Sequence, residues 1–585
     1  MARKIIIALL IPLFAIMNNA LAADNADSRF DAFKEHFVLA MWEVYPAWAS
    51  SVGYHKYDDV LVVPDARARE RELAFCRASM DSLMRYRLAD LSDANKTDYY
   101  LISNHVQSAM WSITTQRAYE WDPSAYNVSS GFAEMLGNDY APLDERLRNF
   151  RKKLAGVPAY YEAARKNIRN PTKEHTDLAI EQNLGGISVF EADLEEALGK
   201  SKLADADKNA MRNEAKAAVK AIRGYTEWLR SMPNPAPRSF RLGKDMYAKK
   251  FALEMQSRYT ADEIYKKAIS HKEELHEKMY EITRQLWPRY LRGKEMPGDK
   301  LVAIRQMIDA LSVKHTDPAK FQESIERQIP ELIAFVIRKD LIHMDPTKPL
   351  VVRKEPAYMA GVAGASINSP GPYDKNGNTY YNVGGLEGWD AAKAESYLRE
   401  YNHYIMPILN IHEAIPGHYT QLIYANQSPS IVKSILGNNA MIEGWAVYTE
   451  RMMLENGYDV DKGPMSTEAS PEMWLMYYKW NMRSTCNTIL DYSVHTQDMT
   501  KEQAMHLLVD EAFQQAAEAE GKWKRVSVTQ VQLCCYFTGY TEIYELREEI
   551  KGRRKDGFNL KKFHEQFLSY GSAPVKYIRQ LMVQP

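Results

Sequence analysis

Cysteine is scarce: the 585 residues hold four, Cys76, Cys486, Cys534 and Cys535. A chain of this length can bury enough core to fold without a disulfide framework. No Cys-x-x-Cys pair occurs, which argues against a thiolate zinc site. A disulfide between the neighbours Cys534 and Cys535 would be strained, whereas one between Cys76 and Cys486 is open in an oxidising compartment. Charge of one sign is also missing. Lys plus Arg number 75 against 76 Asp plus Glu, a net charge of -1. Nucleic-acid binders usually carry a basic excess or stripe, so that class is disfavoured. There is no internal repeat, no low-complexity tract, no Gly-x-Ser-x-Gly elbow and no phosphate-cradling glycine loop. Serine-nucleophile and nucleotide chemistry are therefore unsupported.

Long apolar runs are absent after the first residues. Arg3 and Lys4 precede the 13-residue run Ile5–Met17, and Ala20-Leu21-Ala22 follows. A bilayer span takes about 20 residues, so this pattern reads as a signal peptide, residues 1–22, cleaved after Ala22. An uncleaved anchor is the alternative. With no Cys after the small residues, a lipoprotein is disfavoured, and a periplasmic or secreted protein without stable membrane insertion is expected. What remains has ordinary globular composition, 45% apolar and 26% charged. The length is equivalent to roughly three to five domains. The 36 Tyr and 11 Trp suit large packed interfaces or a lined cleft.

Most of the mature chain reads as helix, with apolar residues at 3–4 spacing in 144–167, 208–230, 261–286 and 391–410. The proline-rich stretch 232–237 reads as a linker. One stretch differs. Residues 358–385 are rich in Gly, Ser, Asn and Tyr, and the Asn-Gly turn signal at 376–377 suggests a small sheet or hairpin among helices. If it forms a strand at a cleft rim, an extended peptide is expected to add to the edge of 380–383.

Residues 410–421 read N-I-H-E-A-I-P-G-H-Y-T-Q. Imidazoles bind zinc-like ions, and a glutamate beside one is placed to act as a base. The two-histidine helix motif usually places its ligands four residues apart, about 40° around the helix. His412 and His418 are six apart, about 240°, so a regular helix cannot bring both to one ion. Pro416 and Gly417 resolve the conflict by allowing the helix to break and return His418 to His412. Glu443 follows 25 residues after His418, room for a turn and a second helix carrying a third ligand. Two imidazoles and a carboxylate leave a fourth position open, the catalytic arrangement. Glu450, seven residues on, shares the face of Glu443; it orients a ligand or stands as a solvated acid beside Arg451. His271 and His276 lie in a dense charge run and read as a solvated helix face. His564 lacks a downstream partner and reads as packing or capping.

The runs H-E-A-I-P-G-H and E-G-W-A-V-Y-T-E closely resemble the exported bacterial family called domain of unknown function 885, grouped with the gluzincin-like metallopeptidases. That group's helical members include angiotensin-converting enzyme, thimet oligopeptidase and the thermostable carboxypeptidases. The resemblance extends over nearly the whole mature chain. It includes Pro46, Gly53, His55 and Tyr57, Leu242–Tyr247, Asp491 and His495, Tyr536–Gly539, Leu546-Arg547 and Phe563–Pro574. Two departures stand out. Tyr419 replaces a second His common after the motif, and Gln530-Val531-Gln532 replaces a Pro-Gly-Gln before Tyr536.

The resemblance implies an all-α fold, mainly: a large helical ellipsoid with a deep active-site cleft and a small β element near its rim. An N-terminal helical region, 23–350, and a metal-binding catalytic region, 351–585, are expected to form one continuous unit. His412, His418 and Glu443 would hold one Zn²⁺ per chain, although the ligands alone also admit Mn²⁺ or Co²⁺. Glu413 would be the general base and Tyr536 the oxyanion donor. Tyr540, on the same helix face as Tyr536, is a candidate substrate contact together with Arg547, Tyr381 and His495; a structural ion pair is equally open to Arg547. The expected activity is zinc-dependent hydrolysis of a peptide or small amide. Non-peptide amides or esters, and a non-catalytic binding protein with a vestigial site, are the alternatives.

Overall fold

The computed structural model describes residues 26–348, 350–355, 365–374, 377–386 and 388–583. The expected leader, and 358–364 with 375 and 376 of the Gly/Tyr-rich stretch, lie outside the described residues. The fold is mainly helical with one three-stranded sheet. Among the described residues no helix is long and apolar enough to cross a membrane.

Local chemistry places the helix ends. Thr260 and Glu263 form a capping box that starts the helix Ala261–Tyr290. The expected helix 144–167 is two, Leu143–Leu154 and Val157–Asn167, with Pro158 in the first turn of the second. Residues 391–410 also divide, into Ala391–Glu400 and Ile405–Glu413. Between them Asn402 Oδ1 accepts from the backbone N–H of Tyr404 and Ile405, at 3.1 and 3.3 Å, offering the chain a turn in place of continued helix.

Two compact units are present. The first comprises Met1–Arg169, Asn183–Ser231 and Pro429–Leu436, the second Asn170–Gln182, Met232–Ser428 and Gly437–Pro585. The proline-rich stretch 232–237 thus begins at a unit boundary and is irregular in structure. The second unit holds the sheet and all the expected metal-site residues.

In the sheet, β1 (Leu350–Lys354) and β2 (Ala365–Asn368) flank β3 (Thr379–Val383). β1 pairs with β3 in parallel, Val352 opposite Tyr381, and β2 pairs antiparallel, Ile367 opposite Tyr381. The segment 380–383 is therefore the centre of the sheet. Both of its edges are already paired, so a peptide cannot add to it as expected. Among the described residues the outer strands carry the open edges.

The charge run at His271 and His276 is solvated at Glu273, Glu274 and Glu277 but not at its histidines. His276 is buried, with Nε2 donating to the Glu511 carbonyl at 2.8 Å, and His271 Nε2 pairs with Asn481 Oδ1 at 2.9 Å. Lys272 is buried beside them and pairs with Glu511.

His564, fully buried on the helix Leu560–Ser569, lies between a carbonyl and a phenol. The Leu341 carbonyl can only accept, so Nδ1–H donates to it at 2.8 Å, and Nε2 accepts from the Tyr448 hydroxyl at 2.8 Å. Burial lowers this imidazole from 6.5 to about 4. Between those two values the unfolded chain binds a proton that the folded chain excludes, so stability rises with pH there. The contribution is complete above about 6.5 and lost as pH falls toward 4, roughly 3 kcal/mol in all. Urea unfolding from pH 7 to 4 should show this slope, and His564→Gln should flatten it. An unaltered slope would mean that other groups carry the acid sensitivity.

Candidate metal centre

His412 and Glu413 are the last two residues of the helix Ile405–Glu413, and His418 opens the next, His418–Asn426. The break lies at Ala414–Gly417, where the Ile415–Pro416 peptide is cis. Gly417 cannot be replaced there: a Cβ would stand 1.9 Å from the His412 carbonyl oxygen. The turn is tied from outside by Trp445, whose indole N–H donates to the Pro416 carbonyl at 2.9 Å. This folded-back turn undoes the angular separation of the two histidines. Their ring centroids are 4.8 Å apart with the planes at 88°.

Glu443, on the helix Asn439–Glu455, completes the group. Its Oε2 lies 3.4 Å from His418 Nε2 and 3.6 Å from His412 Nε2, and the three donor atoms all fall within 4.8 Å of one another. A tetrahedral ion with bonds of about 2.0–2.1 Å separates its ligand atoms by about 3.4 Å. The donor set and its spacing fit a zinc-like cation. Glu450 approaches His412 from the other side, accepting from Nδ1 at 2.7 Å and from the Trp480 indole N–H at 3.0 Å. With Nδ1–H committed to that carboxylate, Nε2 of His412 is directed to the side of Glu443. His412 and Glu450 are buried, whereas Glu413, His418, Glu443 and Tyr536 remain partly accessible.

The electrostatics favour positive charge here. Burial works to lower the His412 imidazole, but hydrogen bonds to Glu443 and Glu450 outweigh it and raise it to about 10. Burial works to raise Glu443, yet the field of His418 and hydrogen bonds from both imidazoles hold it well below the usual carboxylate range. Burial raises Glu413, offset in part by His412 and His418. Burial also raises Glu450, while the two N–H donors on its Oε1 favour the ionised form.

Tyr536 lies in the first turn of the helix Cys535–Arg554. That helix crosses the Glu443 helix at two glycines: a Cβ on Gly539 would stand 1.6 Å from the Ala440 carbonyl oxygen, and one on Gly444 2.3 Å from the Gly539 carbonyl carbon. Only hydrogen at both positions permits this approach, which brings Tyr536 into the field of Glu443. The Tyr536 hydroxyl accepts from Arg525 Nη2 at 3.2 Å, and Arg525 Nη2 is also bonded to Gln532 Oε1 at 2.8 Å.

The four expected substrate contacts are otherwise engaged. Tyr540 is buried and its hydroxyl accepts from Arg451 at 2.9 Å, so the hydroxyls of Tyr536 and Tyr540 serve different partners despite their spacing. Arg547 is ion-paired with Glu455 at 2.7 Å and Glu548 at 2.8 Å. Tyr381 is fully buried and donates to Asn410 Oδ1 at 2.9 Å, which packs β3 against the helix that carries His412. His495 bonds through Nε2 to the Val526 carbonyl at 2.9 Å, in the core.

His495 and Asp491 belong to a buried knot that sets the chain leading to Tyr536. Asp491 accepts from the Val531 N–H (2.9 Å), the Leu533 N–H (3.2 Å) and the Tyr247 hydroxyl (2.8 Å). Gly243 N–H donates to the His495 carbonyl at 3.0 Å. Val531 is held at φ 71°, a left-handed conformation costly for a β-branched residue and natural for the glycine that the resemblance places there. The carboxylate of Asp491 is what holds it there. All four cysteines are free and buried.

Trp445, Trp480, Arg525 and Asn410 were not among the expected residues. Trp445 and Asn410 stand within the two motif runs, but their roles, like those of Trp480 and Arg525, depend on partners that spacing alone does not name.

The chain is 51% identical to a candidate lipoprotein of unknown function from Shewanella oneidensis, whose structure it matches with a TM-score of 0.85 over 95% of this chain and 100% of that one. A candidate lipoprotein from Colwellia psychrerythraea, 15% identical, shares the fold with a TM-score of 0.78 over 95% and 98% of the two chains. No curated protein matches. The model of one protein family matches residues 46–582, and the chain therefore belongs to that family, described as bacterial protein of unknown function (DUF885).

Proposed function

We propose that this chain is an exported zinc-dependent hydrolase that cleaves peptide-type amides. The observation that carries the reading is the placement of Glu443 Oε2 at 3.4 and 3.6 Å from two imidazole nitrogens, with the Glu413 carboxyl beside them. Zn²⁺ held by His412, His418 and Glu443 would polarise a substrate carbonyl and make water more acidic. Glu413 takes a proton from the attacking water and delivers it to the leaving amine. Because burial raises its carboxyl, Glu413 is a stronger base toward the attacking water than a free glutamate. Tyr536 donates a hydrogen bond to the oxyanion as it develops. Glu450 and Trp480 hold His412 in one tautomer and one orientation. The motif's resemblance to gluzincin-like peptidases supports the choice of amide. The leader-like run Ile5–Met17 and the lipoprotein descriptions of both structural relatives support an envelope or extracellular location.

Elemental analysis of the purified protein should find about one zinc per chain, and a chelator should abolish hydrolysis. In His418→Ala the metal content should fall to background; full occupancy there would overturn the ligand set. A peptide library run beside acyl-amide and ester substrates should give turnover with peptides. Turnover confined to esters or acyl amides would reassign the substrate class.

A further inference from the structure

The first unit contains a cavity of about 690 Å³, within the range of about 300–1,000 Å³ common for small-molecule sites. Its walls are largely apolar, with Pro46, Trp48, Leu61, Ile113 and Val128 among them. Two charged side chains line it without partners. Lys153, from the helix Leu143–Leu154, is only 4% exposed. Its Nζ lies beside Gly131, another lining residue, where an added Cβ would be 3.5 Å away. Among the described residues this ammonium makes no hydrogen bond and no ion pair; its neighbours are the Phe132 ring at 5.5 Å and the fields of Asp58 and Glu134. Asp58 is already taken by Ser50 and His55. Glu134, on the helix Ser129–Gly137, is likewise without a donor and is not paired with Lys153. The remaining charged lining residues are satisfied: Glu72 accepts from Tyr45 at 2.7 Å, and Arg69 donates to the Pro64 carbonyl and to Asn167.

An ammonium largely shielded from water without a counter-ion is costly, and so to a lesser degree is the carboxylate of Glu134, which is only partly buried. Burial lowers Lys153 and raises Glu134, as for charges deprived of solvent and not yet compensated. A single ion would answer one of the two and leave the other. A molecule carrying both charges answers both, and the apolar walls accept the rest of it. We propose that this cavity binds a small zwitterion with an apolar body, an amino-acid-like ligand whose carboxylate pairs with Lys153 and whose ammonium pairs with Glu134. The site lies wholly within the first unit and does not depend on the hydrolase reading.

Isothermal titration of the full mature protein with L-phenylalanine tests this, beside L-phenylalanine amide, which lacks the carboxylate, and N-acetyl-L-phenylalanine, which lacks the ammonium. The zwitterion should bind, and each blocked form should bind roughly tenfold to a hundredfold more weakly, the worth of one charged hydrogen bond. Lys153→Met should weaken L-phenylalanine by a similar factor while raising the melting temperature of the free protein, since it removes an uncompensated buried charge. Should that variant fail to fold, Glu134→Gln decides: it should lower affinity for L-phenylalanine and leave N-acetyl-L-phenylalanine unaffected. His412→Ala should bind the probe normally, because an amino acid can also chelate a metal. No binding of L-phenylalanine, equal binding of the blocked forms, or loss of binding in His412→Ala would each overturn the proposal.

Discussion

Glu413→Gln should retain about one metal ion per chain while kcat falls by roughly 10²–10⁴, the usual worth of a general base. The amide matches the carboxylate in shape, so the end of the helix Ile405–Glu413 and the placement of His412 should be undisturbed. Only proton affinity is lost. The separation of roles is what the geometry predicts: His412, His418 and Glu443 converge on one point within 4.8 Å, and Glu413 stands outside that set though adjacent to it in sequence. Its carboxyl is sensitive to the same two imidazoles and to Glu443, so it shares their environment without being one of the ligands. Substrate affinity should change little, because proton transfer is felt in the transition state and not in the bound ground state. Metal analysis and steady-state kinetics on the same preparation make the test. A variant that loses metal would make Glu413 a ligand, and one with near-normal turnover would require another base.

The convergence of His412 and His418 was legible because its chemistry is written locally. Two histidines, a glutamate and a Pro-Gly break stand within seven residues, and the break is what a six-residue spacing demands. Glu450 was legible from its seven-residue spacing to Glu443, which places both on the side of the helix that faces His412. What could not be read is the choice among distant partners. Helical spacing puts Tyr540 near the face of Tyr536, but nothing in that spacing shows that Arg451, on another helix, takes the Tyr540 hydroxyl. Arg547 reads equally well as a substrate anchor or an ion pair until Glu455 is seen 2.7 Å away. The charge run at His271 and His276 reads as solvated until Glu511 and Asn481 are brought against it. The sheet illustrates the same limit. An Asn-Gly signal and alternating residues mark strands, yet the parallel strand β1 that makes β3 central joins from 29 positions earlier, Leu350 opposite Thr379. The substitution at Val531 was visible as a departure, while its φ of 71° and the Asp491 carboxylate that holds it were not.

Tyr536→Phe should lower kcat by roughly 10²–10³, the effect of removing one oxyanion donor, with metal content and substrate affinity nearly unchanged. The ring remains to pack, so the helix Cys535–Arg554 and its glycine crossing with the Glu443 helix keep their places. The hydroxyl is suited to donate. Burial and the field of Glu443 raise it above the ordinary phenol range, so it keeps its proton at neutral pH. Arg525, bonded to the phenol oxygen at 3.2 Å, occupies the acceptor side and leaves the O–H free to point elsewhere. Tyr540 supplies the control on the same helix. Its hydroxyl likewise accepts from an arginine, Arg451 at 2.9 Å, but it is buried in the core, so Tyr540→Phe should cost stability and leave kcat unaltered. Two phenols four residues apart thus separate a hydroxyl that is partly accessible and in the field of Glu443 from one that is buried beside Arg451. Unchanged kcat in Tyr536→Phe, or an equal loss in Tyr540→Phe, would remove Tyr536 from the reaction and leave stabilisation of the oxyanion to the metal alone.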